Sequence, residues 1–130
     1  MLVIQIQGIY MAKSVVYELS KKFAIRIIKL FAYLKDEKHE YVMSKQIYRC
    51  GTSIGANIAE GQFAQSDADY ISKLSIALKE AAETIYWLDL LNDAEIISAK
   101  QYESILNDAK IITGTLVNII NKIKNKSNIK

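Results

Sequence analysis

Not one proline occurs in 130 residues. Proline fixes φ and removes a backbone donor, so it gathers at turns, sheet edges and helix starts. A chain of this length without it is hard to reconcile with many turns or a β-sandwich. It suits a few long helices joined by short loops. The length is that of one domain, large enough to bury a core without metals or disulfides. Apolar residues make up 51% and charged residues 24%, ordinary values for a globular protein.

Apolar periodicity divides the chain into four helices. The first spans residues 14–35, where Leu19, Phe23, Ile27, Leu30 and Leu34 recur at spacings of three and four, widened by Val16, Ala24, Ile28 and Phe31. The charged run 35–40 is the first loop. The second spans 41–61, with Ile47, Ile54 and Ile58 as its stripe and Gly61 placed as a left-handed C-terminal cap. The third opens at Ser66, with Asp69 in capping-box position. It carries a heptad-like seam of Ile71, Leu74, Leu78, Ala81, Ile85 and Leu88 before ending near Asn92 and Asp93. The fourth opens at Ser98 with Gln101, and its seam is Ile105, Ala109, Ile112, Leu116, Ile119 and Ile123. These patterns predict an all-α, up-down-up-down antiparallel four-helix bundle over residues 14–124. Residues 125–130 read as a polar, basic tail that frays. Residues 1–13 read as an apolar N-terminal extension. Met11-Ala12-Lys13-Ser14 offers an alternative start of translation, which would make residues 1–10 an upstream artefact or a flexible tail.

Within the second helix, residues 49–61 are rich in small side chains. Gly51, Gly55 and Ala59 lie four apart and form one groove without bulk, where another backbone can come close. Each glycine costs a helix roughly 1 kcal/mol relative to alanine, so something offsets that cost. The plainest offset is tight helix packing; the other is a ligand or nucleic-acid contact. Beside the groove runs a polar line, Gln46, Arg49, Ser53, Asn57 and Glu60. Arg49 and Glu60 lie about 16 Å apart along the axis, too far to pair with each other. Each is free to meet an opposite charge on a neighbouring helix or subunit, where a bidentate Arg–carboxylate contact fixes register. The alternative is a solvated face.

Residue types needed for catalysis are sparse. The one histidine, His39, sits in a charged loop. The one cysteine, Cys50, excludes an internal disulfide and lacks a nucleophile signature. It reads as an inert buried residue in a reducing, cytoplasmic setting. Glu60, Glu80 and Glu83 supply carboxylates for a di-metal site, but the Glu-x-x-His pairs of such bundles are missing. Neither a metal nor a cofactor is expected. No apolar run reaches the roughly 18–20 residues of a membrane span, and the first ten residues lack the basic start of a signal peptide.

Net charge is +3, which permits nucleic-acid binding without announcing it. The first helix is basic, with Lys22, Arg26 and Lys29 along one line and Lys21 beside it; the third is acidic. This asymmetry reads either as complementarity between helices or copies, or as a basic stripe for phosphates. Apolar residues also exceed what the seams use. Tyr17, Ile25, Tyr48, Tyr70, Ile76, Tyr86, Trp87, Leu90 and Leu91 remain to be placed, which predicts an apolar patch and self-association.

Several runs resemble one bacterial family. They are Ser44-Lys45-Gln46-Ile47, residues 51–61 with Asn57-Ile58-Ala59-Glu60-Gly61, Ala64-Gln65-Ser66, residues 73–81, Glu83-Thr84 and Trp87-Leu88. The family is called four-helix bundle protein, or 23S rRNA intervening-sequence protein, and was formerly labelled S23 ribosomal protein. The resemblance implies a bundle assembling into a barrel-like homopentamer, with no catalytic activity. Some members are encoded within intervening sequences of large-subunit ribosomal RNA genes. A related branch, the accessory protein of diversity-generating retroelements, presents a basic surface and binds nucleic acid and a reverse transcriptase. This chain departs at Gly55, where many members carry proline, and in its mild charge. The resulting expectation is a cytoplasmic, non-enzymatic, self-assembling bundle. Lys21, Lys22, Arg26 and Lys29 would meet structured RNA or a reverse-transcriptase-type partner. Arg49, Gly51, Gly55, Asn57, Ala59 and Glu60 would serve helix packing or a subunit interface. The competing expectation is a protein-interaction scaffold without nucleic-acid affinity.

Overall fold

The computed structural model describes the backbone of residues 2–128 and the side chains of residues 7–126. Four helices make up the fold, with no strand among the described residues: α1 (Leu2–Asp36), α2 (Met43–Gly61), α3 (Asp67–Asp93) and α4 (Ala99–Asn128). Each packs on two neighbours. α1 lies against α2 and α4, α3 lies against the same two, and the backbones of the diagonal pairs stay apart. Phe23, Ile27, Ile54, Ile58, Leu74, Leu88, Ile112 and Leu116 are sealed at the centre. Each stabilises the fold by about 1.5–3 kcal/mol relative to exposure.

The helix starts follow local chemistry. Ser66 Oγ accepts the Asp69 N–H at 3.0 Å, and Asp69 reaches back to the Gln65 N–H at 3.1 Å. At α4, Ser98 Oγ accepts the Gln101 N–H at 3.1 Å and Gln101 Oε1 accepts the Ser98 N–H at 2.9 Å, a complete capping box. α2 starts at Met43, two residues later than the pattern predicts, because the Glu40 carboxylate takes the N–H groups of Val42 (3.2 Å) and Ser44 (2.7 Å). α3 ends in a Schellman arrangement. Ile96 N–H bonds Leu91 O at 2.9 Å, Glu95 N–H bonds Asn92 O at 3.0 Å, and Glu95 is left-handed at φ 61°. His39, in the first loop, is left-handed too at φ 53°.

Several expectations are corrected. α1 begins at Leu2, since Ile9 and Val16 continue its buried stripe seven residues apart and no proline interrupts it. α4 continues through Asn128, so the described part of the tail is helical; Ile129 and Lys130 lie outside the described residues. Ile28 is exposed, Leu19 is half-buried, and Ser20 takes the inward position beside them. In α3 the sealed line is Tyr70, Leu74, Ala77, Ala81, Thr84, Leu88 and Leu91, with Ile71, Leu78 and Ile85 half-buried at its edge. Small Ala77 and Thr84 occupy the inward phase because α2 lies close. Gly61 is not left-handed. It ends α2 in helical conformation, and an added Cβ would stand 2.9 Å from Tyr70 Cε1.

Candidate interaction surface

α2 presents different chemistry on its two flanks. Toward α1 it is bare. A Cβ on Gly51 would lie 2.8 Å from Ile27 Cγ1 and 2.9 Å from Ile27 Cγ2, and one on Gly55 would lie 3.2 Å from Ser20 Oγ. Both glycines thus sit where α1 comes closest, while Ala59 is half-buried further along.

Toward α3 the flank is polar. Arg49 bonds Glu80 at 3.3 Å and also bonds Glu83. Glu83 accepts the Trp87 indole N–H at 3.1 Å. That indole bond and the Arg49 guanidinium hold the Glu83 carboxyl below its usual range, and Glu83 in turn raises Arg49. Glu60 receives Lys73 Nζ at 3.0 Å, which raises the Lys73 ammonium. Ser53 Oγ and Asn57 Nδ2 turn back onto the carbonyls of Arg49 (2.7 Å) and Ser53 (2.8 Å). Beneath the line, Cys50 is sealed and accepts the Thr84 hydroxyl at 3.2 Å; burial pushes its thiol up to about 11. It is therefore a neutral thiol, not a thiolate nucleophile.

The four basic positions of α1 differ in their surroundings. Lys21, Lys22 and Lys29 are exposed. Arg26 clips α1 to α4, donating to Asp108 Oδ2 at 2.7 Å, Ser104 Oγ at 2.9 Å and Ser104 O at 3.2 Å. Lys22 and Lys29, seven apart, share one line, and Lys21 lies about 100° round the helix. The apolar surplus also divides. Tyr70 and Leu91 are buried, Tyr17, Trp87 and Leu90 are half-buried, and Ile25, Tyr48, Ile76 and Tyr86 are exposed. Glu80 and Glu83 are the partners that sequence reasoning did not assign to Arg49, nor did it assign Trp87 to Glu83. The signal was available in the acidic bias of the third helix, but nothing in its spacing chose among the carboxylates.

Among the described residues, no three His, Cys, Asp or Glu side chains gather to hold a metal ion. No described helix is long and apolar enough to cross a membrane.

Four helices around one core, joined by short connections and free of strands, define a four-helix protein. The chain belongs to the 23S rRNA-intervening sequence protein family, whose family model matches residues 12–118. Among solved structures it resembles a 1.70 Å crystal structure of a protein of unknown function from the S23 ribosomal protein family of Bacteroides thetaiotaomicron. The two are 55% identical, with a TM-score of 0.84 over 85% of this chain and 98% of that one. None of the curated proteins matches.

Proposed function

We propose that this protein is a non-enzymatic, self-assembling, cytoplasmic bundle that offers a basic surface to structured RNA or a nucleoprotein partner. Its helices run up-down-up-down. In support, Ile27 meets Gly51 while the earlier Ser20 meets the later Gly55, and Glu60 at the end of α2 meets Lys73 near the start of α3. The bundle proper is residues 14–124, preceded by the apolar extension 1–13 and followed by the basic stretch 125–130. Copies associate into a ring, with five as the expected number, through apolar side chains left outside the core.

The observation that carries the reading is the outer face of α1. Lys21, Lys22 and Lys29 are exposed there beside exposed Ile25 and Ile28, with Lys21 Nζ 5.5 Å from the centroid of the Tyr17 ring, while Arg26 is spent on α4. Five copies of a modest basic patch add avidity, so +3 per chain suffices. The test is fluorescence anisotropy with a labelled structured RNA, on nuclease-treated protein whose native mass is measured by light scattering. Binding is expected to weaken steeply with salt. It should be lost when Lys21, Lys22 and Lys29 are all changed to Glu, with helicity unchanged. Binding that survives the triple reversal overturns the assignment of this face.

A second reading, a protein-interaction scaffold without nucleic-acid affinity, is favoured by the exposed Ile76 and Tyr86 beside the Arg49–Glu83–Trp87 cluster. Absence of RNA binding at low salt selects it.

A further inference from the structure

At one end of the bundle, α1 passes the connection between α2 and α3. A cavity of about 550 Å³ opens there, walled by Tyr10, Lys13 and Tyr17 of α1, Gln62 and Gln65 of the connection, and Tyr70 of α3. Its size is within the usual range for small-molecule sites, roughly 300–1,000 Å³.

Tyr70 is 6% exposed, and its hydroxyl is neither sealed nor hydrogen-bonded among the described residues. Because Gly61 has no side chain, the Tyr70 ring rests directly against the end of α2, where the residue lines the cavity. Burial raises the phenol to about 12, so it stays protonated and acts as a donor.

Lys13 and Asp67 are the charged side chains of the wall. Lys13 Nζ stands 4.3 Å from the centroid of the Tyr70 ring and has no carboxylate partner among the described residues. The one acidic side chain of the wall, Asp67, is engaged by Lys126 at 3.3 Å. α3 starts at this wall. Ser66 Oγ satisfies the Asp69 N–H, while the N–H groups of Asp67 and Ala68 have no partner within the helix. Backbone donors at a helix start, an ammonium and an unpartnered phenol are together a donor set for an anion with several oxygens. The remainder of the wall suits a flat, heteroatom-bearing group. Two tyrosine rings offer faces for stacking, and two glutamine amides offer donors and acceptors to its edge.

We propose that this cavity binds a phosphate monoester of a heteroaromatic compound, of the kind represented by a nucleoside 5′-monophosphate. The phosphate lies between Lys13, Tyr70 and the start of α3, and the ring system lies against Tyr10 and Tyr17. Such a group exists as a free nucleotide and as the 5′ end of an RNA strand; only the second source rests on the RNA-binding reading above.

Calorimetric titration of the full chain with adenosine 5′-monophosphate, adenosine and inorganic phosphate tests the site. The monophosphate should saturate it, with either fragment binding at least about tenfold more weakly, a step of about one decade in Kd. Tyr70→Phe keeps the ring and removes only the hydroxyl; Lys13→Ala removes the ammonium. Each should weaken monophosphate binding about tenfold without lowering Tm. Repeating the titration on a Lys22, Lys29 double reversal separates this site from the basic face, because neither residue lines the cavity; Lys21 is left in place because its Nζ stands 5.5 Å from the centroid of the Tyr17 ring. Preference for a 5′-phosphorylated over a 5′-hydroxyl oligoribonucleotide would identify the strand end as the ligand. Equal binding of the two oligonucleotides, with the mononucleotide still bound, would identify the free nucleotide. Failure of the monophosphate to bind at millimolar concentration, adenosine binding as tightly as the monophosphate, or wild-type affinity in both Tyr70→Phe and Lys13→Ala would overturn the proposal.

Discussion

The two flanks of α2 hold their neighbours by opposite means. Toward α1 the helix removes atoms. Gly51 and Gly55 let Ile27 and Ser20 sit where side chains would otherwise stand, and the contact is steric and dry. Toward α3 the helix adds groups. Arg49, Cys50 and Glu60 each meet a polar partner, and much of that contact faces water. A steric contact depends on shape and is indifferent to pH and salt. A polar contact gives direction and register but is weakened by screening when exposed. One helix thereby separates how tightly it is held from how it is aligned.

The largest effect that should distinguish the flanks is alkaline. Cys50 is raised from 9.0 to about 11 and Tyr70 from 10.0 to about 12, both chiefly by burial. A raised pKa contributes stability that is complete below the unfolded value and disappears as pH climbs to the folded value. Stability should therefore hold to about pH 9 and then fall, by about 3 kcal/mol at most for each group once both have ionised. Denaturant titrations from pH 8 upward check this, and Cys50→Ala should delay the onset. A stability flat to pH 11 would mean that the α2–α3 side is wetter than described. Next in size is Gly51→Ala. Its Cβ would meet both γ carbons of Ile27 below 3.0 Å, at a cost of about 1–3 kcal/mol despite alanine's better helix propensity. Ile27→Ala in the same chain should make the pair less than additive. Gly114→Ala, with open space around it, should instead stabilise by up to about 1 kcal/mol. If Gly51→Ala behaves like Gly114→Ala, close approach is not what holds α1. The smallest effect belongs to Arg49→Ala. With its side chain 51% exposed, the loss should not exceed about 1 kcal/mol and should shrink in high salt. Thermal melts at two ionic strengths measure it.

Legibility in the sequence followed how sharply each residue type depends on its surroundings. The α4 seam from Ile105 to Ile123 lies buried as its spacing implies, because few apolar residues of that helix compete for the inward phase. Both serine caps were readable, since a serine followed three residues later by a side-chain acceptor has few other uses at a helix start. The phase of α3 was not. Its apolar arc is wide enough that Ile71, Leu78 and Ile85 describe a seam as regular as the one observed, and only proximity to α2 selects Ala77 and Thr84. Gly61 misled because a glycine at a helix end has two uses. Here it makes room for Tyr70 instead of turning the chain. Of the candidate surface, residue identity located Arg49 and Glu60 on one line, but their partners are tertiary facts. The same holds for Arg26, whose attachment to Asp108 no local pattern contains. The cavity by Tyr70 joins three helices and had no linear signature.

His39 and Glu95, the two left-handed residues of the connections, have a bearing on how this architecture can change over time. Each carries a Cβ in a conformation that glycine adopts at lower cost. Slack in free energy is thus stored at the loops, far from the sealed interior. A descendant could recover it by a single substitution at either loop while every buried contact stays as it is. The interior and the connections are in that sense separate inheritances, and the loops are where the lineage has room to drift.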